Sequence, residues 1–336
     1  MASENKSEKL NNTIKKTAKS DKSLVTIKWK KALLKASKKL LDKEPAPIES
    51  LQSAGIVNAK NKSLKKTRVA LRDAQNTALM AIAYYLEDDD AYLKQAKKYL
   101  LAWAETHQPN GHPINETRLE GFLWAYDLLR CHFSKEEDKK IKIWLINLQS
   151  NKHKWKFGPS SGRNNFRTHQ LKMLLMIDRL LEDKASLKSD REVLQQHVKA
   201  NILEDGMSFD YQERDALHYH VYDLEAWLEI ALLEPDYIEQ VTASYDFLMK
   251  QLKADNIYNQ FANSKQKIDQ KRAKGGFSYA KKGGTFDTTR ITRSVISYST
   301  LKQEPLEEQF AFKYLSKKKI KQSLFQYVRY YLWKTK

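Results

Sequence analysis

The sequence is poor in the residues that mark several protein classes. One cysteine, Cys131, in 336 residues excludes an intrachain disulfide framework. Ten glycines and seven prolines are too few for a turn-rich sheet protein. No apolar run approaches the ~20 residues of a membrane-spanning helix. The Met1-Ala2-Ser3 start leads into Lys, Asn and Ser without a signal-peptide core, which leaves open a removed export signal. The P-loop, the dinucleotide fingerprint, the HExxH zinc motif and the Gly-x-Ser-x-Gly elbow are all missing.

Apolar residues make up 41% and aromatic residues 11%, enough for a large core, so the chain reads as a soluble globular protein. The 60 Lys and Arg exceed the 41 Asp and Glu, a net charge of +19. Residues 1–66 hold 17 Lys, no Arg and 6 acids, so +11 of this surplus sits in the first fifth of the chain. Such a surplus favours a polyanionic partner, whether nucleic acid, anionic lipid or acidic polysaccharide. With no Arg in that segment for bidentate readout and no recognised nucleic-acid module, nucleic acid is disfavoured.

Residues 1–23 read as a flexible Lys-rich tail. Residues 24–336 read as a single all-α domain, because apolar residues recur at helical spacing almost throughout. A first helix around Trp29–Leu41 ends at Pro45-Ala46-Pro47, and a Lys-rich connector runs to Lys66. Thr67–Leu86 and Tyr92–Thr106 form an antiparallel pair across Glu87–Asp90, and the turn Pro109-Asn110-Gly111-His112-Pro113 precedes helices around Leu119–Leu129 and Ile141–Leu148. Further helices are predicted at Asn165–Leu181, Asp190–Leu203, Ala216–Leu233, Tyr237–Leu252, Thr288–Thr300 and Lys318–Trp333. Cys131 lies beside an apolar helical run and is expected to be a buried thiol. Lys152–Arg163 and Ala254–Asp287 break the rhythm as long irregular loops, and such loops in a helical protein are usually functional or disordered.

Three constellations could carry chemistry. In Arg163-Asn164-Asn165-Phe166-Arg167-Thr168-His169, one asparagine can cap the helix that begins there. Asn165 and His169 are four apart on one face near the helix amino end, a corner suited to a carboxylate. In Arg214-Asp215-Ala216-Leu217-His218-Tyr219-His220, the stripe Leu217, Val221, Leu224 and Leu228 faces the core and leaves Tyr219 and Asp223 off it. An Arg, two His and a Tyr so close together exceed what a helix start needs. His218 and His220 as metal ligands are disfavoured, since i and i+2 diverge on a helix and no Cys cluster accompanies them. The third segment, Gln260–Arg272, including Lys265 and Arg272, is either a solvated basic face or an anion-binding wall over the site.

Pro-Asn-Gly-His-Pro-Ile (109–114), Trp-Ala-Tyr-Asp-Leu-Leu (124–129), Asn164-Asn165 and above all Arg-Asp-Ala-Leu-His-Tyr-His-Val-Tyr-Asp-Leu-Glu (214–225) resemble the alginate-lyase-like superfamily of polysaccharide lyases. The resemblance runs from about Thr67 to Ser299 and takes in Asn263-Ser264 and Lys271-Arg272. It implies an incomplete (α/α) toroid of paired antiparallel helices that cleaves uronic-acid polysaccharides by β-elimination without metal or cofactor, acting in the periplasm or after secretion. It also implies that Asn165 engages the substrate carboxylate and Tyr219 transfers protons; beside them Asn164, His218, His220, Lys265 and Arg272 are the candidate substrate contacts. Phe166 stands where the family pattern has histidine, and Arg214 is shifted relative to the family arginine, so His169 is a candidate replacement for the imidazole.

The chemistry of uronates asks for the same side chains. A C5 proton beside a carboxylate becomes acidic only when that carboxylate is neutralised, and Asn165 with His169 or Arg214 offers suitable donors. A tyrosine, with an ordinary pKa of about 10, becomes a feasible base where neighbouring cations lower it. The competing expectations are a polyuronate-binding toroid without catalysis, motivated by Phe166 and the shifted Arg214, and a basic nucleic-acid-binding helical protein.

Overall fold

A computed structural model describes residues 24–304, 306 and 309–315. The expected tail, residues 1–23, and the expected helix at 318–333 lie outside the described residues. The described residues are helical apart from turns and two isolated bridges, Ile202 with Ser208 and Gln260 with Gly284. The all-α expectation therefore holds.

The helices are α1 (Leu24–Lys38), α2 (Lys62–Ala70), α3 (Arg72–Glu87), α4 (Asp90–Thr106), α5 (Glu120–Leu129), α6 (Lys135–Lys154), α7 (Asn165–Leu181), α8 (Lys184–Asn201), α9 (Phe209–Arg214), α10 (Leu217–Leu233), α11 (Ile238–Lys253), α12 (Lys267–Lys274) and α13 (Thr292–Lys302). Local chemistry sets their ends. Ser134 and Glu137 form a capping box on α6, and Asp89 and Asp183 cap α4 and α8. Asp88 turns left-handed at φ 59° to close α3. Several predicted boundaries move, α1 and α6 among them. The Lys-rich connector already carries α2, with a break at Leu71 where one helix was expected, and α8 starts at Lys184, six residues earlier than its apolar pattern. The loop 254–287 contains α12, which its lysines and lack of apolar spacing concealed.

Burial separates two layers. Helices α3, α5, α7, α10 and α13 are covered on nearly every side, whereas α4, α6, α8 and α11 bury a single stripe. Inner α3 packs on outer α4, α7 on α8, and α10 on α11; the inner helices pack on one another in the order α3, α5, α7, α10, α13. This is the (α/α) toroid that the sequence resemblance implies. Gly121 allows α5 to approach α3, because a Cβ there would overlap the carbonyl of Ala74. Tyr219 and Asp223, expected off the buried stripe of α10, are both buried, since this inner helix is covered on every face but the one that carries His218, Tyr222 and Glu225. Cys131, expected buried, is exposed: α5 stops at Leu129, and the 3₁₀ turn Arg130–His132 breaks the periodicity that would have turned it inward.

Where four inner helices converge, the core is ionic. Glu120 of α5 accepts hydrogen bonds from Lys172 of α7 and, at 2.5 Å, from Arg293 of α13. Arg293 also reaches Glu229 of α10 at 3.2 Å, and Lys172 donates to the Thr117 carbonyl at 3.2 Å. Glu120, Lys172 and Glu229 are buried, so their desolvation is offset only while every partner is present. Glu120→Ala is expected to lower the unfolding free energy by about 3–5 kcal/mol, because it leaves the buried Lys172 without a carboxylate and takes from Arg293 one of its partners. Lys98→Ala, which breaks the exposed 2.6 Å pair with Glu44, should leave the denaturant midpoint almost unmoved. Similar midpoints for both variants would contradict this account.

Candidate active site

The start of α7 is built as its sequence suggests. The Asn164 side chain caps the helix, accepting from the Phe166 N–H at 3.0 Å. The adjacent amino-terminal corner does hold an anion, but it is the protein's own. Asp210 Oδ2 accepts from the Asn165 backbone N–H at 2.6 Å, and its Oδ1 accepts from Asn165 Nδ2 at 2.5 Å. Asp210 also faces Arg214 Nε at 3.8 Å. Burial raises this carboxyl to about 6, against the lowering effects of Arg214 and Asn165.

Arg214 ends α9, and Asp215 follows at φ 49°, a left-handed corner that redirects the chain into α10. The Arg214 guanidinium is bonded to buried Asp269 and lies 3.9 Å from the centre of the Tyr219 ring. Arg272 of α12 donates through Nη1 to the Tyr219 hydroxyl and through Nε to the Ile56 carbonyl at 3.3 Å. Tyr219 thus has one cation on its face and another on its oxygen. Contrary to expectation, its hydroxyl is pushed above the ordinary tyrosine range: desolvation outweighs the lowering by Arg214 and Arg272.

The two histidines beside it diverge. His218 stacks on Tyr279 with ring centres 3.9 Å apart, and burial, with Arg290, Arg272 and Arg214 nearby, lowers it well below the usual range. His220 points into the core. Its Nε2 lies 3.0 Å from the Ser244 carbonyl, so Nε2 carries the proton and Nδ1 accepts from the Ser208 hydroxyl at 3.0 Å and the Ser208 N–H at 3.3 Å. A second proton would break those bonds, and burial lowers His220 to about 4. His220 is therefore a fully buried core hydrogen-bonding residue.

The Gln260–Arg272 segment docks on this corner. Gln260 Oε1 accepts from the Leu217 N–H at 2.7 Å, Phe261 N–H donates to the Asp215 carbonyl at 2.8 Å, and Asn263 Nδ2 donates to Asp215 at 2.9 Å. Of its basic residues, Arg272 faces inward to Tyr219, whereas Lys265 is exposed and only 3.9 Å from Glu213. His169 faces a different recess, one helical turn from Asn165. Its Nδ1 meets Thr117 Oγ1 at 2.8 Å, its ring lies 4.4 Å from that of Tyr222, and desolvation keeps it well below the usual histidine range. It is a neutral imidazole rather than a cation.

Sequence reasoning missed Asp210, Asp269 and Tyr279, which orient the predicted residues, and Arg118, Glu120, Lys172 and Arg293, which surround His169. The available signal was charge inside apolar helices: Lys172 between Leu171 and Met173, and Glu225 and Glu229 within α10. Arranged as it is, the corner can polarise and deprotonate a weak acid held against Tyr219 and return the proton to a leaving oxygen.

A family model described as alginate lyase matches residues 8–236. No curated protein matches the chain by sequence. Among solved structures, alginate lyase A1-III from Sphingomonas species A1 is similar at 12% identity, covering 91% of this chain and 89% of that one with a TM-score of 0.63. An alginate lyase from Bacteroides ovatus is similar at 16% identity, covering 91% and 94% with a TM-score of 0.64. A tyrosine-to-phenylalanine variant of A1-III complexed with tetrasaccharide is similar at 14% identity, covering 73% and 77% with a TM-score of 0.56.

His220 yields a prediction with a definite sign. Its folded value of about 4 lies below the ~6.5 of an unfolded histidine, so the unfolded chain takes up the proton first and stability is lost as pH falls between those values. In His220→Asn, stability measured by chemical denaturation between pH 6 and 4.5 should fall less steeply than in the parent, by about 1.4 kcal/mol per pH unit. An unchanged slope would rule out a buried neutral imidazole.

Proposed function

This chain belongs to the alginate lyase family, and from that premise we propose that it cleaves an anionic, uronic-acid-containing polysaccharide by β-elimination, with Tyr219 as the proton-transfer residue. The observation that carries the reading is the Arg272 hydrogen bond to the Tyr219 hydroxyl, with the Arg214 guanidinium over the same ring. Such a tyrosine is neutral at rest, yet its phenolate forms between two cations.

In the proposed reaction Tyr219 first gives its phenol proton to solvent, and the phenolate oxygen then removes the C5 proton. The electrons of the C5–H bond form the C4=C5 double bond, the C4–O4 bond breaks, and the proton passes from Tyr219 to the departing O4. Atoms balance without water. The developing charge at C5 spreads into the uronate carboxylate, which needs hydrogen-bond donors positioned in advance. Arg272 is the cation best situated, because it already meets the reacting oxygen. Asn165 keeps a second Nδ2 hydrogen after bonding Asp210 and can add a neutral donor. Arg214, held by Asp269 and Asp210, acts on the Tyr219 ring, and His169 contributes as a neutral group or not at all. Asn164 is used as a helix cap, and Lys265 and His218 lie at the rim and against Tyr279 respectively, where they can touch sugar. A long extracellular polyanion as substrate favours action in the periplasm or after secretion.

Incubation with alginate, glucuronan, pectate or a glycosaminoglycan should release unsaturated, ultraviolet-absorbing ends from at least one of them. Tyr219→Phe should lower that rate by about 10²–10⁴-fold while the far-ultraviolet circular dichroism stays unchanged. Because the reactive phenolate is the minor form, kcat/KM should rise with pH from 7 to 9 by up to about tenfold per unit. Full activity of Tyr219→Phe, or a flat profile, would remove Tyr219 from this role.

A further inference from the structure

Several surface lysines of the outer helices α4 and α6 have carboxylate partners. Lys97 meets Glu137 at 2.7 Å, and Lys98, Lys140 and Lys142 meet Glu44, Glu105 and Asp138 at 2.6 Å. Two other stretches are built differently. Residues 50–72 and 270–286 contain no Asp or Glu, against six and five Lys and Arg respectively. The first holds α2, and the second takes in the end of α12.

Each of these helices turns a row of lysines outward. Lys267, Lys271 and Lys274 are exposed at helical spacing on one face of α12, while Asp269 and Arg272 on its other side meet Arg214 and Tyr219. Lys62, Lys65 and Lys66 are exposed on one face of α2, opposite the buried Leu64, Thr67 and Ala70, and Lys60 is exposed just before the helix. Backbone contacts join the two rows. The Ala59 N–H donates to the Gly275 carbonyl at 2.9 Å, and Arg272 Nε donates to the Ile56 carbonyl at 3.3 Å. The approach is so close that a Cβ on Gly275 would overlap the Val57 carbonyl. Lys274 and Lys60 each stand one residue from this junction, so seven lysines follow one another from α12 across it to α2.

None of the seven forms an ion pair with a described residue. Like charges three or four residues apart oppose the helix that carries them, so both helices gain from negative charge laid along them. Lys267–Lys274 spans about 10 Å and Lys62–Lys66 about 6 Å along their axes, which a chain of repeated charges fills and a lone anion does not. Lysine is a hydrated point charge on a flexible stem, suited to holding such a chain without reading each unit. The row starts beside Arg272, the cation at the Tyr219 hydroxyl.

We propose that this lysine ledge is an exosite on the outer surface, which holds the part of an acidic polysaccharide chain that projects beyond the reaction corner. Long chains are thereby captured and retained while a bond at Tyr219 is broken. The identity of the occupant rests on the lyase reading above, and the ledge itself takes no part in the chemistry.

The test uses the full chain carrying Tyr219→Phe, with and without K60Q, K62Q, K65Q and K66Q together. Binding is measured by surface plasmon resonance on end-biotinylated alginate, glucuronan and pectate, with tetrasaccharides of the best-bound polymer in competition. Neutralising the ledge should raise Kd for the polymer by about tenfold at low salt and leave Kd for the tetrasaccharide in place. The difference should shrink in 1 M salt, where the Debye length is about 3 Å. A control carrying K135Q, K139Q, K184Q and K188Q, exposed on α6 and α8, removes the same charge and should bind the polymer like the parent. An equal loss in both variants would assign the effect to net charge, and an equal loss for tetrasaccharide and polymer would place these lysines in the reaction corner. Either result overturns the ledge, as does unchanged polymer binding, no polymer binding by the parent, or a loss confined to DNA. The lyase reading fails separately, if the chain with Tyr219 intact releases no unsaturated ends from a polymer that it binds.

Discussion

Glu120 binds two cations from two other helices in the interior of the molecule, and the arrangement of the inner layer follows from that demand. Lys172 and Arg293 could not be buried alone, and each enters from a helix otherwise covered by apolar contacts. Meeting at one carboxylate fixes the rotation of α5, α7 and α13, and Glu229 adds α10. Those rotations also set where His169 and Tyr222 point, one turn from Asn165 and Tyr219. The recess lined by His169 and Tyr222 is thus tied to the ionic centre beside it.

A second constraint is the carboxylate of Asp210. The amino end of α7 attracts an anion, and the fold fills that place with its own side chain. Asp210 thereby joins Asn165 to Arg214 across two elements, and Asp269 joins Arg214 to the Gln260–Arg272 segment. The consequence for function is a transfer of duty. Donors that look free in the sequence are engaged in holding the corner rigid, and Arg272, from a segment that reads as a basic loop, becomes the cation at the Tyr219 oxygen. Rigidity of this kind is what stabilisation of a developing charge requires, because donors fixed in advance need no reorganisation during the reaction.

Much of the helical plan was legible from periodicity, since α4, α7 and α10 bury apolar residues at positions that repeat every three or four residues. Periodicity was silent where helices are short or basic, as in α9 and α12, and misleading at Cys131, where the helix had already ended. The site was legible as a set of residue types in the Asn164–His169 and Arg214–His220 segments. Their partners were not, because Asp210, Asp269 and Arg293 are brought in by tertiary packing over long sequence separations. The same burial reversed the expected shift of Tyr219: neighbouring cations are visible in a sequence, whereas the loss of water around a phenol is not.

The central claim is that this corner breaks its substrate by elimination rather than by adding water. Mass spectrometry of the products formed in heavy-oxygen water tests it most directly. Elimination predicts fragments whose masses sum to that of the parent chain, with an unsaturated new non-reducing end and no solvent oxygen incorporated. Fragments that together exceed the parent by one water and carry the heavy oxygen would show hydrolysis and contradict the account.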